Sequence, residues 1–307
     1  MSKFIMMVGP SYSGKSTVAA ELAIKYCGKV FSSDDIREEL YGDAGIQENH
    51  EKVFRILHKR IIQYLLEGGT AIYDATNLNM KRRKGFLHEL AQHKIDCKKI
   101  CMVVVAPKEV LEKRYHERER VVPLEVIHKQ LCQFQTPFYF EGWDEIHLVQ
   151  NFGNDEYFEL RKVYVDSYSV SQENPHHTYT IGGHMYHTVH NIFHKNVLSS
   201  NLALRTAAEY HDIGKMFTKT YINKHGVRTE TAHYYGHQNM GAYLFLCASP
   251  RDIDLSHATM LHASMLICYH MEHYTRDKDS LAKFYNLIGP RLGAELTVLN
   301  ECDRAAH

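Results

Sequence analysis

The sequence lacks the long apolar runs of a membrane protein. A membrane-spanning helix needs about 20 consecutive apolar residues, and no such stretch occurs among the 307 residues of the chain. The first residues, MSKFIMMVG, also lack the basic, apolar and small-residue regions of a signal peptide. We therefore expect a cytoplasmic protein with no membrane association.

Paired cysteines and an excess of charge are missing as well. The seven cysteines are scattered without a C-x-x-C pair, which argues against a disulfide-stapled fold and is typical of reduced intracellular thiols. The 36 basic and 36 acidic residues give a formal net charge of +0, so no overall field attracts nucleic acid. A polyanion would have to be held locally, and the candidate segments are KRRK at 81–84 and the stretch at 114–120.

The first half of the chain alternates strand-like and helical patterns. Short apolar runs bounded by charged, glycine or proline residues predict strands at KFIMMVG, KVFSS, TAIYDAT, KKICMVVVA and EIHLV. Between them, apolar residues recur three and four positions apart, which is the helical period. This alternation is typical of a parallel sheet with crossover helices. The sequence therefore predicts an α/β domain over residues 1–166.

The second half has a different composition. Residues 167–177 are polar, carry a proline and lack periodicity, which predicts a linker or an entrance loop. Beyond them we find no series of strands, and helical patterns predict an all-α domain over residues 178–307. Fifteen of the 22 histidines lie from His176 onward, so the second domain also differs in its chemistry.

A phosphate-binding motif, GPSYSGKS, occupies residues 9–16. It fits the pattern G-x-x-x-x-G-K-[ST] between a predicted strand and a predicted helix. Backbone amides of such a loop surround the β-phosphate of ATP, the lysine contacts the β and γ oxygens, and the hydroxyl residue ligates Mg²⁺. The predicted ATP-binding residues here are Gly9, Ser13, Gly14, Lys15, Ser16 and Thr17, with Ser16 as the Mg²⁺ ligand.

Two polar clusters follow later strands, at the end of the sheet where ligands bind in open α/β folds. SSDDIR places Asp34, Asp35 and Arg37 after the second strand, and DATNLN places Asp74 after the third. A kinase needs a carboxylate near the acceptor hydroxyl and cations over the transferring phosphoryl group. Each cluster alone also has a structural interpretation, because Asp34 could cap the next helix and Asp74 could begin a turn.

Together with KRYHERERVVP, these motifs resemble the 5′-hydroxyl polynucleotide kinases of phage and bacterial end-healing enzymes, over roughly residues 1–150. The resemblance implies that Asp34 is the general base that deprotonates a 5′-hydroxyl. It also implies that Arg37 contacts the acceptor strand and that Asp74 supports the acceptor site and the arginine. Ser33 stands where some members carry a basic residue before the paired aspartates.

The same resemblance gives a role to the arginine-rich segment. It implies that Arg118, on a lid, stabilises phosphoryl charge, with Arg120 as a second lid candidate. The segment could equally be a solvated helix end with charge pairs four residues apart.

A series of histidines and aspartates marks the second half. Counting an adjacent His-Asp pair as one member, the members follow one another at intervals of about 26 to 33 residues, so each could come from a different helix and converge on one pocket. Imidazole nitrogen and carboxylate oxygen together suit Mn²⁺, Fe²⁺, Co²⁺, Ni²⁺ or Zn²⁺ better than Ca²⁺ or Mg²⁺. The series consists of His184, His211, Asp212, His237, His270 and Asp303.

This series, in the contexts IGGHM, EYHDIGK, YYGHQNMGA, ICYHM and ECDRAAH, resembles the HD phosphohydrolase superfamily over about residues 176–307. The resemblance implies one metal site at His184, His211, Asp212 and Asp303. It implies a second at His237 and His270, with Asp212 bridging the two metals, which would activate water against a phosphoester. Lys215 is placed to take phosphate charge, or it is a surface lysine.

Other histidines compete for these roles or accompany them. Those at helical spacing from the predicted ligands are expected to be partners of the ligands or surface residues. They are His187, His190, His194, His233 and His273, while His176 and His177 could line an entrance.

The two resemblances together suggest a bifunctional nucleic-acid end-healing enzyme, similar to the bacterial HD-domain polynucleotide kinases. Such an enzyme would phosphorylate a 5′-hydroxyl and remove a 2′,3′-cyclic or terminal phosphate. Its partners would be RNA or DNA ends, with RNA as the more coherent substrate, and a downstream RNA ligase. In the related enzymes the helical domain comes first, so this chain departs from them in domain order.

Two alternatives remain open at the level of sequence. One is a nucleoside or metabolite kinase fused to a nucleotide phosphohydrolase, which the neutral charge favours modestly. The other is an ATP-responsive switch that regulates the hydrolase and does not phosphorylate a substrate.

Overall fold

The computed structural model describes residues 2–46, 48–117, 122–153, 155–174, 178–195 and 201–306. These residues form two compact units. The first comprises Met1–Gln130 with Pro137–Glu156, and the second comprises Leu131–Thr136 with Tyr157–His307. Within the described ranges, no helix is both long and apolar enough to cross a membrane.

A five-stranded parallel sheet forms the centre of the first unit. The strands are β1 Lys3–Val8, β2 Lys29–Ser32, β3 Ala71–Asp74, β4 Lys98–Val105 and β5 Glu145–Gln150. They lie in the order β2-β3-β1-β4-β5, so β1 is central and the carboxyl ends of all five strands share one edge. The five strands predicted from apolar runs are thereby confirmed.

Helices connect these strands and cover the sheet. Ala19 and Leu22 of the first helix pack against Ile5, Ile72 and Val104 of the strands, because βα crossovers place helices on the faces of a parallel sheet. The helices are α1 Lys15–Tyr26, α2 Ser33–Tyr41, α3 His50–Leu66, α4 Met80–Gln92, α5 Lys108–His116 and α6 Leu124–Leu131, and a short 3₁₀ helix spans Tyr139–Glu141.

The second unit is mainly helical. Two of its helices, His237–Leu246 and His257–Tyr269, are buried along most of their length. A 3₁₀ turn at Ser167–Ser169 follows its first helix. The helices are α7 Leu160–Asp166, α8 Ile181–His194, α9 Leu202–Tyr210, α10 Lys215–Thr218, α11 His237–Leu246, α12 His257–Tyr269, α13 Glu272–Thr275, α14 Lys278–Ile288 and α15 Pro290–Arg304.

An antiparallel hairpin interrupts these helices and corrects the expectation of an all-α domain. Strands β6 Lys219–Ile222 and β7 Arg228–Tyr234 pair between α10 and α11. Threonine, isoleucine and tyrosine supply the β-branched and aromatic side chains that favour strands. Asn223 and Gly226 form the turn, a local signal that the search for helical periods passed over.

The division between the units lies at residues 156–157, before the predicted domain end at residue 166. Phe158 is buried in the second unit, where its backbone N–H donates to the carbonyl of Cys247. The described part of the predicted linker is also packed, because Gln172 is only 1% exposed and Ser171 pairs with Thr180.

Candidate functional sites

The phosphate-binding motif forms the turn between β1 and α1. Gly9 and Gly14 have φ angles of 158° and 89°, and the second lies in the left-handed region that favours glycine. A Cβ atom on Gly14 would also lie 1.7 Å from Asn151 Nδ2. Lys15 is buried and donates from Nζ to the carbonyl of Pro10 at 2.7 Å. The loop therefore has the backbone shape and the lysine of a phosphate cradle.

The loop fits the phosphates of ATP in a further respect. Ser13 Oγ is fully buried and has no hydrogen-bond partner among the described residues, whereas buried hydroxyls are nearly always paired. The hydroxyl of Ser16 and that of Thr17 are at exposed positions at the start of α1. A triphosphate oxygen could take the place of the missing partner, and Ser16 is accessible to Mg²⁺.

Side chains from distant segments hold the loop in shape. Arg114 donates to the carbonyls of Tyr12 and Asn151 at 3.1 and 2.7 Å. Asn151 Nδ2 in turn donates to the carbonyl of Ser13 at 3.0 Å, and Gln130 accepts from the N–H of Ser11 at 2.7 Å. Arg114, which belongs to one of the predicted polyanion-binding segments, is therefore used to support the loop.

The acceptor cluster begins where β2 runs into α2. Ser32 caps the helix by accepting from the backbone N–H of Asp34 at 3.1 Å, so the capping role considered for Asp34 is wrong. The half-exposed Asp34 carboxylate instead accepts from Nη1 of the buried Arg37 at 3.0 Å. Arg37 also donates to the carbonyl of Ser33. The arginine thus fixes the orientation of the predicted base.

A second carboxyl group lies close to this pair. Asp74 ends β3 directly opposite Ser32 in the sheet register and is 6% exposed. Burial raises the pKa of Asp35, and the charges of Asp34 and Asp74 raise it further. The family resemblance implies that Asp34 is the base. Asp35, which has a raised pKa and lies beside Asp34, is a second candidate.

A buried ion pair supports the loop that follows Asp74. Arg83 and Glu141 are paired through two hydrogen bonds of 2.8 and 2.6 Å, and both side chains are 0% exposed. Arg83 Nη1 also donates to the carbonyls of Asn77 and Leu78 at 3.0 Å each. Of the basic run at 81–84, Arg83 is therefore inside the unit and unavailable to a polyanion.

The two predicted lid arginines, Arg118 and Arg120, lie outside the described residues. Their roles stay predictions from resemblance.

Five segments of the second unit bring the six His and Asp side chains of the series together. His184 lies within α8, His211 and Asp212 follow α9, and His237 begins α11. His270 follows α12, and Asp303 lies near the end of α15. All six are at most 6% exposed. The six side chains therefore converge, as expected from their spacing in the sequence. Their role as metal ligands stays a prediction.

A close backbone contact makes this convergence possible. A Cβ atom on Gly214 would lie 2.0 Å from the carbonyl oxygen of His237 and 2.6 Å from the backbone nitrogen of Gly241. Only glycine fits such an approach. The turn that carries Asp212 can therefore lie against the start of α11.

The carboxylate of Asp212 lies between two pairs of histidines. Its Oδ2 atom is 3.5 Å from His184 Nε2 and 3.6 Å from His211 Nε2. Its Oδ1 atom is 3.2 Å from His237 Nε2 and 3.7 Å from His270 Nε2. The ligand atoms of each triad lie within 4.8 Å of one another. One bridging carboxylate with two histidines on each side is the donor set of a two-metal site.

Asp303 completes the first of these triads. Its Oδ1 atom lies 2.8 Å from His184 Nε2 and 3.4 Å from His211 Nε2, while Oδ2 accepts from the hydroxyl of Tyr274 at 3.0 Å. The first site thus offers two imidazoles and two carboxylates, and the second offers two imidazoles and the shared carboxylate.

A hydrogen bond at the Nδ1 atom of each of the four histidines orients the ring in a way that suits metal binding. Each Nδ1 lies 2.7 to 3.1 Å from a backbone carbonyl, so it carries the proton and leaves Nε2 with a lone pair. Nε2 atoms nevertheless face each other at 3.3 Å between His184 and His211 and at 3.4 Å between His237 and His270. A proton on one Nε2 atom, as in the hydrogen bond between His184 and Asp303, or a divalent metal between the rings would relieve the repulsion of two lone pairs at that distance.

The charges around the centre keep its carboxylates ionised and His270 neutral, whereas Asp212 and Asp303 raise the pKa of His211 against the effect of burial. Burial alone would raise the pKa of Asp212, but Lys215 and His211 outweigh it and hold that pKa well below its usual range. The pKa of Asp303 is likewise lowered, against burial, by hydrogen bonds from His184 and His211. Burial, with the neighbouring His211 and His237, lowers the pKa of His270 to about 3. Ionised carboxylates and neutral imidazole are the forms that bind metals.

Lys215 is buried within this centre and is not a surface lysine. Its Nζ lies 2.6 Å from Asp212 Oδ2, donates to Gln172 Oε1 at 2.8 Å, and lies 5.6 Å from the ring centroid of Tyr234. Gln172 and Tyr234 were not selected from the sequence, since only tertiary contacts place them here.

The competing histidines lie elsewhere. His190 and His194 contact each other on the exposed face of α8, and His187 packs on Tyr179. His233 contacts Thr229, and His273 contacts Tyr285. None of these five belongs to either triad found among the described residues, while His176 and His177 lie outside those residues.

Comparison with known proteins supports the assignment of the first unit. Residues 4–137, which are less than half of the chain, match the family model described as an AAA domain. This match includes the phosphate-binding loop and both acceptor clusters, so the first unit is a parallel-sheet α/β domain of the P-loop type. No curated protein matches the chain.

Several solved structures overlap part of the chain. The Pnkp1/Rnl/Hen1 complex is 24% identical, with 39% of this chain and 41% of that chain covered and a TM-score of 0.34. A gluconokinase from Sinorhizobium meliloti 1021 is 17% identical, with 49% and 83% covered and a TM-score of 0.35. Shikimate kinase from Acinetobacter baumannii is 20% identical, with 50% and 86% covered and a TM-score of 0.35. Likenesses at this level assign no activity to the chain.

Proposed function

We propose that this protein heals nucleic-acid ends with two separate active sites. The first unit would transfer the γ-phosphate of ATP to a 5′-hydroxyl, and the second would hydrolyse a 2′,3′-cyclic or terminal phosphate. The observation that carries the proposal is the pairing, in one chain, of a P-loop beside Asp34 and Arg37 with two triads that share Asp212. RNA is the preferred substrate, because cleavage that leaves a 5′-hydroxyl also leaves a 2′,3′-cyclic phosphate.

In the first reaction, the loop amides and Lys15 hold the phosphates of ATP, and Ser16 would hold Mg²⁺, which would neutralise part of their charge. Asp34, oriented by Arg37, accepts the proton of the 5′-hydroxyl while that oxygen forms a bond to the γ-phosphorus. The bond from the γ-phosphorus to the bridging oxygen breaks, and ADP leaves. Asp35, with its raised pKa, is the competing base.

In the second reaction, the four histidines with Asp212 and Asp303 would hold two divalent metals, which supply Lewis acidity and an activated water. Lys215 keeps Asp212 ionised and places a positive charge beside the carboxylate. Tyr274 fixes the second oxygen of Asp303. With a cyclic phosphate, water adds to the phosphorus, one ester bond breaks, and the leaving 2′ or 3′ oxygen takes up a proton from that water. A second hydrolysis of the resulting monoester releases inorganic phosphate and leaves both hydroxyls.

The direct test offers one RNA with a 5′-hydroxyl and a 2′,3′-cyclic phosphate, together with ATP, Mg²⁺ and Mn²⁺, and follows both ends by gel and mass spectrometry. Lys15→Ala is expected to abolish only the 5′ reaction and Asp212→Ala only the 3′ reaction. A folded variant that loses both activities would contradict two independent sites.

The same assay separates the alternatives. Faster phosphorylation of a free nucleoside than of the RNA would favour a small-molecule kinase. To locate the base, Asp34→Asn is compared with Asp35→Asn. Loss of a general base costs about 10² to 10⁴ in rate, so the larger loss identifies it. No phosphorylation of any acceptor by the wild type would favour the ATP-responsive switch.

A further inference from the structure

The β6–β7 hairpin is tied directly to the His/Asp centre. Its turn closes through a hydrogen bond from the N–H of Asn223 to the carbonyl of Val227 at 2.8 Å. Its second strand leads through Gly236 to His237, and the carbonyl of Tyr234 accepts from His237 Nδ1 at 2.8 Å. The position of the hairpin and the orientation of a predicted ligand are therefore linked.

The segment at 172–174 fixes the hairpin in place. The N–H of Ala232 donates to the carbonyl of Glu173 at 3.0 Å, and the Tyr234 hydroxyl donates to the carbonyl of Gln172 at 2.7 Å. Gln172 also binds Lys215. The hairpin is thus a rigid neighbour of the centre.

One face of the hairpin carries stacked aromatic rings and a cation. The rings of His233 and Tyr235 are nearly parallel, at 11° with centroids 5.4 Å apart, and Tyr235 is 38% exposed. Lys224 Nζ lies 5.6 Å from the ring centroid of Tyr235. Glu230 falls on the opposite face by the alternation of a strand. We refer to His233, Tyr235 and Lys224 as the hairpin platform.

The chemistry of the platform matches a single-stranded nucleic acid. Aromatic side chains stack on bases of any sequence, and a neighbouring lysine attracts the phosphates. Tyr235 is two residues from His237, so their Cα atoms are at most about 7 Å apart. The platform therefore adjoins the predicted ligand His237 along the chain.

We propose that the hairpin platform stacks on a base at the 3′ end of a single-stranded nucleic acid and so directs the terminal phosphate to the His/Asp centre. This inference rests on the proposed hydrolase function and adds to it a selection for polymeric ends.

The test measures binding separately from catalysis. A short single-stranded RNA with a 3′-phosphate and a fluorescent group on its 5′ oxygen, which removes the acceptor hydroxyl, is titrated with full-length protein by fluorescence anisotropy. Tyr235→Ala is expected to weaken binding roughly five- to hundredfold, the range for loss of one stacked base. Lys224→Ala is expected to reduce the slope of log Kd against log salt by about 0.7. Tyr139→Ala, which removes an exposed tyrosine of the first unit, is the matched control.

The outcomes distinguish the platform from the proposed function. If Tyr235→Ala binds the RNA as tightly as the wild type, the platform inference is wrong even where hydrolysis is observed. If binding depends on Tyr235 but the wild type hydrolyses no phosphoester with Mn²⁺, the platform stands and the hydrolase proposal fails. Circular dichroism of each variant establishes that a loss of affinity is not a loss of folding, and Tyr235→Phe is expected to retain binding.

Discussion

Lys215 lies 2.6 Å from Asp212, at the same carboxylate oxygen that faces His184 and His211. Both side chains are less than 10% exposed. Their contact places a permanent positive charge beside the group that would bridge two metals. A phosphate bound at the centre would meet this cation, so Lys215 is expected to contribute to catalysis as well as to the charge balance.

Lys215→Met tests that contribution. The substitution keeps the apolar stem of the side chain and removes the charge, so we expect phosphoester hydrolysis to fall by about 10² to 10³ while bound metal is retained. Turnover and metal content are measured on the same preparation. Lys224→Met, on the exposed hairpin turn, is a matched control for turnover of a small phosphoester, and an equal loss in both variants would contradict a specific role for Lys215.

Metal stoichiometry tests the bridging arrangement. Wild-type protein dialysed against Mn²⁺ is expected to bind two ions per chain, because Asp212 has two histidines at each of its oxygens. His270→Ala should bind one ion and Asp212→Ala should bind neither tightly. Metal content is measured by atomic emission, with His194→Ala as the control at an exposed histidine of α8. Two ions retained by His270→Ala would show that His270 is not a ligand.

The Arg83–Glu141 pair is expected to stabilise the first unit. Arg83→Met leaves the buried Glu141 carboxyl group without its cation, which costs about 3 to 5 kcal/mol. Urea unfolding followed by circular dichroism measures this loss. Arg82→Met, at the exposed neighbouring position, should change stability by less than about 0.5 kcal/mol. The double variant Arg83→Met/Glu141→Leu should recover part of the loss, because it removes the buried charge.

Glu295 gives the second unit a pH-dependent stability. Burial opposes ionisation, but hydrogen bonds from His262 and Asn201 outweigh it and lower the pKa of Glu295. A lowered folded-state pKa contributes stability above the ordinary value of about 4.5, and this is lost as the pH falls through the folded pKa. Glu295→Gln is therefore expected to cost about 2 kcal/mol near pH 7 and less near pH 4. Urea unfolding at both pH values measures the loss of stability, with Glu230→Gln, at an exposed position, as the control. A loss of stability that does not depend on pH would contradict the lowered pKa of Glu295.

The parallel sheet was predictable because each strand is a short apolar run with its own boundaries. Lys3–Val8 and Lys98–Val105 are recognisable without knowledge of their partners. The hairpin was missed because its strands are mostly polar and half-exposed, so they carry no apolar run. Its turn residues, Asn223 and Gly226, were the available signal.

The residues of the candidate sites also fall into those that the sequence identified and those whose roles only the contacts show. The spacing of histidines and aspartates identified the six converging side chains, since they come from five separate segments of the chain. It could not give the roles of Arg83 and Arg114, which look like solvated basic residues in the sequence. Arg83 donates to a carbonyl of the loop before its helix and pairs with Glu141. Arg114 donates to a carbonyl of the distant phosphate-binding loop.

The parallel-sheet P-loop unit and the six His and Asp side chains that converge in the second unit could be identified without a structure. Local apolar patterns and residue types at fixed intervals are sufficient for both. Three relationships are visible only in the fold: Asp212 turns one oxygen to each histidine pair, Lys215 is buried against it, and the hairpin platform adjoins His237. These relationships depend on contacts between segments far apart in the chain, and packing fixes them through close approaches such as that of Gly214 to His237.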